Sequence, residues 1–184
     1  MGRAPVDTAL PRRSVTPGDS QCLADDGKRS IADGDLVVID LTPQYEGYCA
    51  NLARTFVVSQ PYQKQIELIG GYINMYEATR EALKPGIKVS DLDKVGKEVC
   101  VENGVAEYHL NGISHGIGLR FEETPASTII PAHRSIVYKE NMTVTIGHTV
   151  LAVPGFGGVR FEDVYRVTAK GCKILYEYPL LRRL

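Results

Sequence analysis

Taken whole, this sequence lacks an excess of either charge: 21 basic residues face 22 acidic ones, for a formal net charge of −1. Without a basic patch or run, nucleic acid and anionic membrane surfaces drop out as main partners. Long apolar runs are missing as well. None approaches the roughly 20 residues that a membrane-spanning helix requires. The N-terminal stretch, with Pro5, Pro11, Arg12 and Arg13, has no apolar region of the secretory kind. The four cysteines, Cys22, Cys49, Cys100 and Cys172, are scattered with no C-x-x-C pair. They read as the reduced thiols of a cytoplasmic protein rather than a disulfide frame or a zinc knuckle. Internal repeats and low-complexity segments are absent. What remains is an ordinary globular composition, 43% apolar and 23% charged, in 184 residues that suffice for one domain with a sizeable core.

Residues 1–33 are the least regular stretch, punctuated by Pro5, Pro11, Pro17-Gly18 and Asp25-Asp26-Gly27, with one strand expected near 12–16. Leu36 to Leu41 is a β-branched run that ends on Asp40 and reads as a buried strand. Tyr48 to Val58 returns as its hairpin partner. Period-two alternation places Cys49, Asn51, Ala53 and Thr55 on one face and Arg54 on the other. Pro61 opens a helix whose apolar face is Ile66, Ile69, Ile73 and Tyr76. Gly70-Gly71 inside it has no explanation at this level. Pro85-Gly86 ends that helix. Ser90 with Asp93 resembles a capping box ahead of a second helix with the stripe Leu92, Val95 and Val99, which Asn103-Gly104 stops. Strands are then expected at 108–110, 115–121, 133–138, 142–150, 159–167 and 174–178, with a hairpin loop at 154–158. Strands, two helices and strands again predict an α+β fold with a curved antiparallel sheet and helices on one side.

Side chains that carry chemistry interrupt these strands. His115 stands between short residues, and Gly116 and Gly118 leave the backbone open to a neighbouring strand or a ligand. Glu122 and Glu123 follow on the same stretch. Asp40 and Glu162 lie within β-branched strands, where a carboxylate is costly unless paired. The residues alone leave two readings open. In one, His115 is a satisfied core histidine and the carboxylates pair with Arg54, Arg160 or Arg166. In the other, Asp40, His115 and Glu162 form a site for a metal or for acid–base work.

Four blocks bear on that choice. They are Gly34-Asp35-Leu-Val-Val-Ile-Asp40 through Gly47 to Phe56; Ala82-Leu83-Lys84-Pro85-Gly86 with Val89-Ser90-Asp91; Ser114-His115-Gly-Ile-Gly-Leu with Glu123 and Pro125; and Asn141 to Ile146 followed by Pro154-Gly155 and Gly158-Val-Arg160-Phe-Glu162-Asp163. In this order they resemble the pita-bread metallopeptidase superfamily, which holds methionine aminopeptidase, aminopeptidase P, prolidase and creatinase. The phrasing from Pro154 to Asp163 is similar to the prolidase and aminopeptidase P branch.

The resemblance implies a pita-bread domain over 34–184 behind an irregular segment 1–33, with the helices of the family's first half missing. It also implies a site. The family binds two divalent metals with two Asp, one His and two Glu. By position the first Asp is Asp40, the His is His115 and the last Glu is Glu162. The second Asp falls on Asn51, the first Glu on Gly147 and an accessory histidine on Glu122. Two carboxylates are too few for the charge of two dications, so a dimetal centre is not expected. At most one ion (manganese, iron, cobalt or zinc) is expected, on Asp40, His115 and Glu162. His148 follows Gly147, and strand alternation points it away unless a bulge re-aims it.

The expected function is that of a divergent enzyme using His115 and Glu162, with Asp40 assisting, on a small amide or amino-acid-derived substrate. Creatinase, a family member that works on a small C–N substrate without metal, sets the precedent. Glu122, Glu123, Asn51, His148 and Arg160 would contact that substrate. The alternatives are a non-catalytic pseudo-peptidase that binds peptides or proteins and a single-metal Xaa-Pro peptidase. A small molecule or short peptide is the expected ligand. A homodimer or a complex would cover the sheet surface that the missing helices leave bare.

Overall fold

The structure is a computed structural model that describes residues 13–15, 30–110, 112–126, 130–153 and 157–183. Two sheets and two helices build it. The first sheet has the order β1 (Arg13–Val15), β2 (Leu36–Leu41), β5 (Leu52–Val57) and β13 (Leu181–Arg183). Its central pair is antiparallel and its two outer strands run parallel to their neighbours. A short hairpin of β3 (Gln44–Tyr45) and β4 (Tyr48–Cys49) connects β2 to β5. The second sheet is antiparallel, with the order β12 (Gly171–Ile174), β11 (Asp163–Thr168), β8 (Thr143–Ile146), β6 (His115–Gly116) and β7 (Glu123–Ala126). Strands β9 (Leu151–Val153) and β10 (Gly157–Val159) pair as a hairpin of their own, and the loop residues between them lie outside the described residues.

The two sheets meet at one backbone bridge. Ala53 and Glu162 exchange N–H···O bonds of 3.1 and 3.0 Å. Ala53 is also the register partner of Asp40 on β2. That junction brings carboxylates 122 residues apart in sequence to one place.

Helix α1 (Gln63–Ala82) packs on helix α2 (Val89–Glu102) and on β8, β10 and β12. Its start is fixed by Gln65, whose side chain accepts from the Tyr62 N–H at 2.9 Å and donates to Gly34 O at 2.7 Å. The buried face is Leu68, Ile69, Tyr72, Met75, Tyr76 and Thr79, so Ile66, expected in the core, is exposed. The helix is rotated so that its two inward tyrosines can bond the sheet. Gly71 has a local reason: a Cβ there would stand 2.9 Å from Val105 Cγ2. Gly70 meets nothing and stays without an explanation.

The capping box expected at Ser90 does not form. The first N–H groups of α2 bond to backbone instead, Val89 to Ile136 O at 2.9 Å and Ser90 to Arg134 O at 3.1 Å. Asp93 is then released to accept the Ile113 N–H at 2.9 Å, which ties α2 to the strand that carries His115. Several expected strands contract. The stretch 108–110 begins as a 3-10 turn (Ala106–Tyr108), and 133–138 keeps a single bridge from Val137 to Lys88. The strand after His115 ends at Gly116, and the closing strand lies at Gly171–Ile174 rather than 174–178. β13 was not anticipated from the sequence. Among the described residues, no helix is long and apolar enough to cross a membrane.

Beneath the junction lies a closed polar network. Arg54 holds Asp163 Oδ1 at 2.6 Å and the Glu162 carbonyl at 3.0 Å. Tyr76 OH donates to Asp163 Oδ2 at 2.6 Å and lies 2.6 Å from Tyr165 OH. Tyr76→Phe leaves that carboxylate oxygen without its donor and is expected to cost about 1–3 kcal/mol in urea unfolding followed by circular dichroism.

Candidate functional site

The site is built from the junction outward. Asp40, on β2, is buried, and both its oxygens are engaged: Oδ1 by the Asn51 amide at 2.7 Å and Oδ2 by Arg160 Nη1 at 2.9 Å. Glu162 is fully buried, and its Oε2 accepts from Arg160 Nε at 3.1 Å and from Nη2. Arg160 therefore lies between the two carboxylates. Its place is fixed from the backbone, because Arg160 N–H donates to Thr55 Oγ1 at 2.9 Å and Thr55 donates back to Arg160 O. The pairing that the sequence left open is thus made by Arg160, while Arg54 serves the network below.

His115 is buried with only 1% of its surface exposed. Its Nδ1 lies 2.8 Å from Gly116 O. That bond needs a proton on Nδ1, which leaves Nε2 to carry either a lone pair or a second proton. Nε2 stands 3.3 Å from Glu162 Oε1, without the alignment of a hydrogen bond, and both atoms are buried with no hydrogen-bond partner. Asn51 Oδ1 is a third such atom in the site. Burial works against the imidazolium, but the Glu162 carboxylate outweighs it and raises the His115 pKa above its ordinary 6.5. Burial alone would raise the Glu162 pKa. Arg160, followed by the two histidines, holds it well below the usual carboxylate range. For Asp40 the balance reverses: burial outweighs Arg160 and its pKa is raised.

These directions give a pH dependence. A raised histidine pKa contributes stability that is complete below 6.5 and is lost as pH rises through the folded-state value. In chelator-treated buffer, the thermal midpoint of the parent is expected to fall across that window relative to His115→Gln. A constant difference between the two proteins would contradict the His115–Glu162 contact.

His148 comes into the site, against the alternation of a regular strand. β8 stops at Ile146 and Gly147 takes φ +97°, after which both Gly147 and His148 N–H groups bond to Ile113 O, at 2.9 and 3.1 Å. Tyr72 OH holds the kink by donating to the carbonyls of Gly147 and Thr149. The ring ends edge-on to His115, with centroids 4.7 Å apart. Its Nδ1 lies 3.0 Å from Arg160 Nη2 and 3.5 Å from Glu162 Oε1, and its Nε2 lies 3.8 Å from Glu122 Oε1. The ligand atoms of His115, Glu122 and His148 all fall within 4.8 Å of one another. Glu123, expected beside the substrate, turns away and accepts the Arg120 N–H at 2.8 Å. The glycine within a β-branched run was the sequence signal for the His148 kink.

Comparison with known proteins agrees with this architecture. The model of metallopeptidase family M24 matches residues 11–169. The Xaa-Pro dipeptidase of Pyrococcus furiosus is 37% identical over 147 residues, which is 80% of this chain and 41% of that protein. The corresponding protein of Pyrococcus horikoshii is 35% identical over the same shares. Among solved structures, the prolidase from Pyrococcus furiosus superposes with a TM-score of 0.78 at 35% identity, over 86% of this chain and 45% of that one. The Xaa-Pro dipeptidase from Bacillus anthracis gives 0.80 at 30% identity, over 96% and 46%. The chain thus spans less than half the length of these relatives, and its mixed sheets and helices are those of the pita-bread fold. With the family model matched over most of its length and a relative 37% identical over 80% of it, the chain belongs to metallopeptidase family M24.

Proposed function

We propose that this prolidase-like chain is a divergent hydrolase. It acts on a small amide or amino-acid-derived substrate through His115 and Glu162, without a cocatalytic metal pair. The observation that carries the reading is Arg160, whose guanidinium lies 2.9 Å from Asp40 and against Glu162. The residues present do not fit two divalent ions. Asn51 and Gly147 stand where the family resemblance places carboxylate ligands. The two carboxylates that remain are neutralised in part by a guanidinium, which cannot leave as a metal can.

The pair left over is suited to proton transfer. Gly116 O fixes the ring of His115 through Nδ1, so Nε2 is the atom that can take or give a proton. Glu162 Oε1, at 3.3 Å, orients and stabilises the charged ring. His148 and the exposed Glu122 form the outer wall where a substrate amide would sit.

The test is a panel of Xaa-Pro dipeptides and small amides with the chelated protein. Turnover that survives chelation and falls by about 10²–10⁴-fold in His115→Gln is expected, the scale of a lost acid–base group. Turnover that requires added manganese or cobalt would replace this reading with a metal-dependent peptidase. Binding without turnover would replace it with a non-catalytic peptide-binding role.

A further inference from the structure

We infer that His115, His148 and Glu122 form a binding site for one divalent transition-metal ion of the zinc class, on a ligand set that shares only His115 with the pair of sites that the family resemblance implies. Three observations carry this. The first is geometry. Ligand atoms of the three residues lie within 4.8 Å of one another, and two imidazoles with one carboxylate is a donor set that zinc and its neighbours favour. Bonds of about 2.0–2.1 Å in a tetrahedron put ligand atoms about 3.3–3.4 Å apart. The 3.8 Å between His148 Nε2 and Glu122 Oε1 needs only a small swing of Glu122, which is 46% exposed.

The second observation is the pair of orphaned atoms. His115 Nε2 and Glu162 Oε1 face each other while buried and without hydrogen bonds. A lone pair opposite a carboxylate oxygen calls for a positive charge between or beside them. The backbone bond at His115 Nδ1 prepares Nε2 as a ligand, as is usual for metal-binding histidines. His148 does the same only with its proton on Nδ1, so the ring must give up the bond that Nδ1 accepts from Arg160 Nη2 at 3.0 Å and turn that N–H to Glu162 Oε1, 3.5 Å away, leaving Nε2 to face Glu122.

The third is charge. Asp40, Glu162 and Glu122 bring three negative charges to this cluster and Arg160 brings one positive charge, with the histidines neutral. The imbalance equals the charge of one divalent ion. Asp40 stays outside the set, because Asn51 and Arg160 already hold its two oxygens.

An ion on His115 Nε2 occupies the atom assigned above to proton transfer. The site therefore inhibits metal-free turnover rather than supporting it. Its existence does not depend on that turnover, because binding is read directly.

The experiment is equilibrium dialysis of the chelated protein against zinc, with cobalt(II) absorption as a second readout. One ion per chain is expected, with cobalt giving the intense visible bands of a four-coordinate nitrogen–oxygen site. His148→Gln and Glu122→Gln should each weaken binding by more than the roughly 10–100-fold lost when only a partner behind a ligand is removed. Cys49→Ser, which removes a half-buried thiol outside the ligand set, should change nothing. Glu122 is exposed, so its variant folds even if the others do not. Absence of binding, or binding that both variants retain, would overturn the inference. So would two ions per chain lost in Asp40→Asn.

Discussion

Arg160→Leu is expected to destabilise the protein by about 3–5 kcal/mol, the cost of leaving a buried ionic partner uncompensated. The side chain is 6% exposed, and its carboxylate partners are 4% and 0% exposed. Removing the guanidinium strands two anions in a low-dielectric junction where only Asn51 and the histidines remain to solvate them. The cost therefore belongs to the pairing more than to lost packing. Adding Asp40→Asn and Glu162→Gln to the same chain should recover most of the loss, because the buried charge then disappears with its partner. Urea unfolding of the parent, Arg160→Leu, the Asp40→Asn/Glu162→Gln pair and the triple variant measures this. Additive losses across the three substitutions would show that the residues act independently. A sharper consequence concerns cations. With the guanidinium gone, added manganese should raise the thermal midpoint of Arg160→Leu more than that of the parent, since two carboxylates are then open to a dication.

Gly147→Ala is expected to cost roughly 2–5 kcal/mol. About 1–2 kcal/mol comes from holding a side-chain-bearing residue in the left-handed region and about 1–3 kcal/mol from overpacking. The backbone sits at φ +97°, and a Cβ on it would stand 1.8 Å from Phe161 O. The same clash decides a more informative variant. Gly147→Glu would put a carboxylate at the position the family resemblance assigns to a metal ligand, yet it is expected to lower the thermal midpoint as much as Gly147→Ala and to add no metal. The kink that turns His148 into the site is the feature that excludes a side chain at 147. A stable Gly147→Glu protein that binds a second ion would refute this description of the kink.

The fold was legible where the physics is local. The β-branched run from Leu36 to Leu41 and the positive-φ stop at Gly104 announce themselves in the sequence, and both elements are found as expected. The order of four motif blocks then gave the family. Elements held by long-range backbone pairing were not legible. The segment 133–138 looked like a strand, but its carbonyls are spent on the first turn of α2. Ile66 fitted a helical stripe, yet the helix turned to bring Tyr72 and Tyr76 to the sheet. Within the site, the Ala53–Glu162 bridge brings Asp40 and Glu162 together, and His115 Nε2 lies 3.3 Å from Glu162 Oε1. The role of Arg160 was only one of three candidate pairings, because strand alternation cannot tell which arginine lies between two carboxylates. His148 was misdirected by the same alternation, and only Gly147 hinted at the break.

The most direct test is a crystal of the protein soaked in zinc, with diffraction recorded at the zinc absorption edge. One anomalous peak beside His115, His148 and Glu122, with Arg160 still between Asp40 and Glu162, is the predicted result. Two peaks about 3.5–4 Å apart that bridge Asp40 and Glu162, with the guanidinium displaced, would contradict the account.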